Sequence, residues 1–186
     1  MTAAGVLLYG GPAVGKDTVT TALSGLDSRF RLFQRLKAGP GRTAGYRMAD
    51  LEEIARLRQA GEVLWENERY SAVYVVDRPE LKRVLADGYF PVVHLGQQAA
   101  VEAIQAAAPT VRWAVVELWC PRPIAAARIE ARGTGDTADR LRAWAETGHL
   151  RHPDLFIDTS LVSAVDAAEQ IRQKVATWAS PSSSRR

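Results

Sequence analysis

The stretch Gly10-Gly11-Pro12-Ala13-Val14-Gly15-Lys16-Asp17-Thr18 constrains this chain more than any other. An apolar run, Val6-Leu7-Leu8-Tyr9, leads into it, and the residues from Val19 to Leu26 after it can turn helical. A strand, a glycine-rich turn and a helix, with a lysine directly after the last glycine, form the layout of a phosphate-binding loop. Gly10 and Gly15 let the backbone curl until several N–H groups aim at one anion. The helix that begins near Lys16 adds the positive end of its dipole. Lys16 itself is a mobile point charge for the outer phosphates. The next residue departs from the motif. Asp17 stands where a serine or threonine usually holds magnesium, and Thr18, one later, can supply that hydroxyl. Asp17 has two readings: an acid favoured at a helix start, or a group that contacts the acceptor or serves as base.

Composition narrows the setting. A chain of 186 residues suits one domain with a small inserted lobe, and 47% hydrophobic content is ample for a core. The charge is mixed, 24 basic against 21 acidic residues, and part of the +3 excess sits at Arg185 and Arg186. That excess is too small to argue for a nucleic-acid surface. The single cysteine, Cys120, excludes an internal disulfide and fits a reducing compartment. No apolar run reaches the ~18 residues of a membrane span, and no signal-peptide pattern opens the chain. These features read as a cytoplasmic protein, monomer or homodimer, that acts on small molecules and engages neither nucleic acid nor membrane.

In chain order, the first strand covers about Gly5 to Tyr9, and Phe30 to Leu36 reads as a second. Ala38 to Gly45, with three glycines and a proline, is a loop. Asp50 caps a helix that stops at Gly61, and Val63–Glu68 and Ala72–Val76 read as two short strands. Asp77-Arg78-Pro79-Glu80 is a second helix cap, preferred to a metal-binding reading of Asp77. Phe90–Leu95, Val111–Trp119 and Leu155–Ile157 are further core strands. Helices follow at Gln97–Ala107, from Pro121 to about Arg132, at Ala138–Thr147, and from Ser163 to about Trp178. Residues 179–186 read as a disordered tail. Strands separated by helices call for a five-stranded parallel sheet with helices on both faces, a three-layer α/β/α fold. The stretch from about 38 to 76 breaks that rhythm and reads as an inserted lobe overhanging the phosphate loop.

Three basic clusters stand out: Lys16; Arg35 with Lys37 and Arg42; and Arg128, Arg132 and Arg140 around the break at Gly133. Arg128 and Arg132, four apart, would share one helix face. His149 and His152 lack partners at metal-ligand spacing and read as surface histidines. Most of the five tryptophans read as core, with Trp65 the one placed in a pocket.

With these features in order, the chain resembles guanylate kinase and its relatives over roughly Val6 to Val175, as a P-loop kinase fold. The resemblance implies ATP and Mg as cofactors, with Gly10 to Thr18 binding ATP and Thr18 holding the metal. It implies that Arg35, Tyr74 and Tyr46 hold the phosphate of a small phosphorylated acceptor, with Arg42 or Lys37 replacing an arginine that falls on Ala38. It implies a lid over about 128–142, whose Arg128, Arg132 and Arg140 close over ATP and act with Lys16 in transfer. The positions that read guanine in that family fall on Arg31 and Trp65, with Glu66 adjacent to the latter. His94-Leu95-Gly96-Gln97 stands where those enzymes carry an acid near the metal. The Asp17 spacer and Trp65 look closer to a sister branch, the ribose 1,5-bisphosphate phosphokinases, although Arg132-Gly133-Thr134 departs from that branch's lid.

Overall fold

A computed structural model describes residues 3–69, 71–133 and 135–179. Five parallel strands form the central sheet in the order β2 (Phe30–Leu32), β7 (Phe90–Leu95), β1 (Ala4–Tyr9), β8 (Arg112–Trp119) and β9 (Leu155–Asp158). Alternation along β1 explains the layers. Val6 and Leu8 enter a core shared with Val19 and Leu23 of α1 (Lys16–Leu26), Ala125 of α5 (Arg122–Glu130) and Ile171 of α7 (Ala164–Ala179). Leu7 and Tyr9 enter the opposite core, with Leu81 and Val84 of α3 (Arg78–Ala86) and Ile104 of α4 (Gln98–Ala107). Helices therefore cover both faces, as a strand without polar alternation requires. Among the described residues no helix is long and apolar enough to cross a membrane.

The inserted lobe has its own sheet, ordered β4 (Arg47–Met48), β3 (Leu36–Ala38), β6 (Ala72–Asp77) and β5 (Val63–Arg69). Leu36, Ala38, Val73 and Val75 pack on Ile54 of α2 (Leu51–Gln59) as a small separate core. The other face of the same strands carries Lys37, Tyr74 and Asn67 in one row, since Lys37 pairs with Tyr74 and Tyr74 with Asn67. That row faces the phosphate loop.

The expected second strand over Phe30–Leu36 is two strands. β2 joins the central sheet and β3 the lobe, with Phe33, Gln34 and Arg35 crossing between them. The apolar pattern runs on because both halves are buried, so periodicity alone hides the break. The lobe accordingly begins at Leu36. The fifth helix ends at Glu130, before Arg132, so Arg128 and Arg132 do not share a helix face. The chain tightens there through Arg132 N–H to Ile129 C=O and Gly133 N–H to Glu130 C=O, with Gly133 at φ +59°. Both caps are as expected: Asp50 accepts from Glu53 N–H at 2.7 Å and Asp77 from Glu80 N–H at 3.0 Å. Asp77 is also ion-paired with Arg47, which ties β4 to the base of α3. Of the expected tail, 180–186 lie outside the described residues.

Candidate active site

The phosphate loop turns at Gly10, whose φ of +152° and surroundings admit no side chain. A Cβ there would lie 2.4 Å from the carbonyl oxygen of Leu118. Gly10→Ala is expected to cost about 2–4 kcal/mol of unfolding free energy, through backbone strain and that clash. Urea denaturation checks it, and a loss under about 1 kcal/mol would contradict the packing. Ala13 takes a left-handed conformation at φ +62°, and Gly15 caps α1 at φ +98°. Arg128 and Thr159 brace this strained segment. Arg128 donates to the Ala13 carbonyl at 3.2 Å and to the Thr159 hydroxyl at 3.0 Å, and that hydroxyl donates to the Val14 carbonyl at 2.9 Å.

A cleft of about 1110 Å³, counting its open mouth, lies at the C-terminal edge of the central sheet. Open α/β sheets present their ligand sites on that edge. Three parts of the chain meet there. Gly10, Pro12, Ala13, Lys16 and Asp17 come from the loop, and Arg35, Arg42, Tyr46 and Tyr74 from the lobe and its approach. Arg132 and Arg140 come from the lid segment, Arg140 on α6 (Thr137–Glu146). The cleft is strongly basic: with Arg69, it gathers six basic side chains against the single carboxylate of Asp17.

Several expected site residues lie elsewhere. Arg128 braces the loop from behind and does not line the cleft. Thr18 is exposed on the first turn of α1, outside the cleft lining. Glu66 falls on the opposite face of β5 from Asn67 and pairs with Arg58 of α2 at 2.8 Å. Trp65 is packed against the apolar cluster beneath the sheet rather than in the cleft. Arg31, at the other guanine-reading position, stacks on Tyr89 at 4.4 Å, also outside the cleft. Of the remaining loop residues, Gly11 and Val14 are buried.

Electrostatics inside the cleft is set by crowding of cations. Lys16 Nζ folds back to the carbonyls of Gly10 and Gly11 at 2.5 and 2.7 Å. Burial first, then Arg35 and Arg132, lower its pKa to about 7, with Asp17 opposing. Burial and the neighbouring Lys16 push His94 down to about 3, so the imidazole is neutral. It shares a 2.7 Å hydrogen bond with Thr20 Oγ1 and lies 3.6 Å from Asp17. Burial raises the Asp17 carboxyl, but Arg42, through its hydrogen bond and its charge, and then Arg132 outweigh it and hold the group below its ordinary range. Arg42 reaches Asp17 at 3.1 Å, and Arg35 lies over the rings of Tyr74 and Tyr46 at 5.2 and 5.7 Å.

Residues 144–150, just past the stretch expected as a lid over 128–142, are tied down by residues that the motif reading passed over. A Cβ on Gly11 would meet Trp144 of α6 at 3.2 Å, so the lid helix lies against the loop. Tyr9 donates to the Gly148 carbonyl at 2.5 Å. The buried Glu117 accepts from Leu150 N–H at 2.9 Å and bonds His149 at 2.5 Å. Arg69 of β5 pairs with Glu146 of α6 at 3.4 Å. Asn67 and Arg69 also line the cleft without any motif to announce them, beside Gln97. The period-two alternation from Trp65 is the one sequence signal that could have put Asn67 and Arg69 on a common face.

A guanylate kinase-like P-loop α/β fold is defined by this sheet, loop and lobe. The crystal structure of guanylate kinase from Anaplasma phagocytophilum is similar at a TM-score of 0.61 and 18% identity, covering 97% of this chain and 89% of that one. The crystal structure of APE1195 is similar at a TM-score of 0.57 and 13% identity, covering 95% and 96%. No protein-family model and no curated protein sequence matches the chain. The likeness shows the fold, and it lends no support to the ribose 1,5-bisphosphate phosphokinase branch in particular.

Proposed function

We propose that this chain is a kinase that moves the γ-phosphoryl of ATP to a small acceptor already bearing a phosphate. One observation carries the reading: residues as distant in sequence as Lys16, Arg35, Arg42, Arg132 and Arg140 meet in one cleft around a phosphate-binding loop. Phosphoryl transfer asks the protein mainly for positioning and for positive charge around the transferring group. In this reading Lys16 and the loop amides hold the β- and γ-phosphates. Arg35, Arg42, Tyr46 and Tyr74 hold the acceptor. Arg132 and Arg140 stabilise the charge in flight.

The donor set fits magnesium that arrives on the nucleotide rather than a resident ion. Among the described residues there is no group of three or more His, Cys, Asp or Glu able to hold a metal. Asp17 is the one carboxylate lining the cleft. Magnesium bound through phosphates, water and one or two protein oxygens needs no more than that. When bound, it would neutralise charge on the β- and γ-phosphates.

The acceptor we favour is a sugar phosphate of the ribose 1,5-bisphosphate kind or a nucleoside monophosphate. Arg31, Trp65 and Glu66 all lie outside the cleft lining, which weighs against guanine. ADP release measured over a panel of nucleoside monophosphates and phosphorylated sugars tests the proposal. Turnover with none of them would sink it, and turnover confined to GMP would favour guanylate kinase proper.

The depressed Lys16 adds a pH prediction. In the empty cleft the amine is mostly neutral well above its pKa of about 7. A bound polyphosphate raises that pKa again, because it favours the charged form. ATP binding at about pH 8.5 should therefore take up about one proton, and at about pH 6 the lysine should contribute none. Calorimetry in buffers of different ionisation enthalpy reads the number directly. Proton release at about pH 8.5 would contradict the electrostatics.

A further inference from the structure

Lys37 is 1% exposed, yet no carboxylate neutralises it through the contacts described. Its ammonium donates to the carbonyls of Pro40 at 2.5 Å and Arg42 at 2.8 Å. The rings of Tyr46 and Tyr74 complete its surroundings, each centroid 5.7 Å away. A buried lysine is costly unless its charge is used or its donors are satisfied. Here the loop wraps around it. Gly39 and Gly41, at φ +123° and +87°, bend the chain over the ammonium, and a Cβ on Gly41 would lie 3.7 Å from Nζ. The same loop projects Arg42 into the cleft, where the guanidinium is fixed at its other end by Asp17 and by the Ala44 carbonyl. Arg35, over the same two tyrosines, stands beside it.

We propose that Lys37 is a positioning residue that holds the 39–45 loop and so aims Arg42 at an anionic group on the acceptor. This rests on the acceptor half of the cleft as assigned above. Lys37 touches no substrate in this account. Its ammonium fastens the loop through the Pro40 and Arg42 carbonyls, in a buried setting that strengthens both bonds. The acceptor end thus depends on a cation that sequence spacing alone would have placed in direct contact with the acceptor.

The test uses inorganic pyrophosphate as probe, titrated into the full chain with ADP saturating the phosphate loop. Lys37→Met keeps the volume and removes the donors. It should weaken pyrophosphate binding roughly tenfold, as Arg42→Ala also should, and leave ADP affinity unchanged. The double variant should be no weaker than the weaker single one, because Lys37 acts through Arg42. Multiplying losses in the double variant, or equal losses of ADP and pyrophosphate affinity, would overturn the proposal. If Lys37→Met fails to fold, Gly41→Ala strains the loop without disturbing the buried chain, and unchanged pyrophosphate affinity there would overturn it as well. Absence of pyrophosphate binding in the parent also counts against it. Because the probe needs no turnover, a chain that holds pyrophosphate at Arg42 but transfers no phosphoryl group would remove the kinase reading and leave this one standing.

Discussion

Lys16→Met should lower kcat by at least about 10³-fold while the protein stays folded. The lysine is the point charge of the loop, and nothing else in the cleft can take its place. Arg35 and Arg132 approach from the lobe and lid, and their planar guanidinium groups are held on other elements. Stability should move the opposite way from activity. Burial and nearby cations lower the pKa of Lys16 from 10.5 to about 7, so the folded protein binds fewer protons than the unfolded chain between those values. The charged lysine therefore weighs against folding most at pH 7 and below, and the penalty fades as pH rises toward 10.5. The variant should be more stable than the parent at neutral pH, with the gap closing in alkali. Denaturant unfolding across that range, beside a coupled assay of ADP release, measures both. A variant that keeps parental turnover would remove Lys16 from the mechanism.

Arg132→Ala should lower kcat by about 10²–10³-fold and change ADP affinity little. Arg132 lies on the turn after α5 and faces the cleft without belonging to the loop that grips the nucleotide. Charge that develops on the transferring group is what such a residue can stabilise, so its loss should appear in the chemical step. Arg140 faces the same cleft but is paired with Asp136 at 2.6 Å, four residues earlier on its own turn, which partly spends its charge. Single-turnover kinetics separates chemistry from binding. A variant with normal kcat and weakened ADP binding would move Arg132 from transfer to nucleotide grip.

The arginines also show how far spacing can mislead. Arg128, Arg132 and Arg140 look alike in sequence, three basic residues around one glycine break. In the structure Arg128 points behind the loop and fastens the strained Ala13 carbonyl to Thr159, residues far apart in the chain. A helix that ends two residues earlier than expected, at Glu130, separates it from Arg132. Trp65 and Glu66 tell the same story in the lobe, since adjacent strand residues face opposite ways and the hinge end of β5 already belongs to the apolar core.

What the sequence determined by itself is local. The strand-loop-helix unit at Gly10 to Thr18, the caps at Asp50 and Asp77 and four of the five core strands are written in short windows, because conformational limits of glycine and the alternation of apolar residues act over a few residues. Only the tertiary structure decided which cations share the cleft, that Phe30–Leu36 divides between two sheets, and that Lys37 is buried beside Tyr46 and Tyr74. Those outcomes depend on which distant segments pack together, and packing is set by the burial of whole faces rather than by any residue's neighbours in the chain.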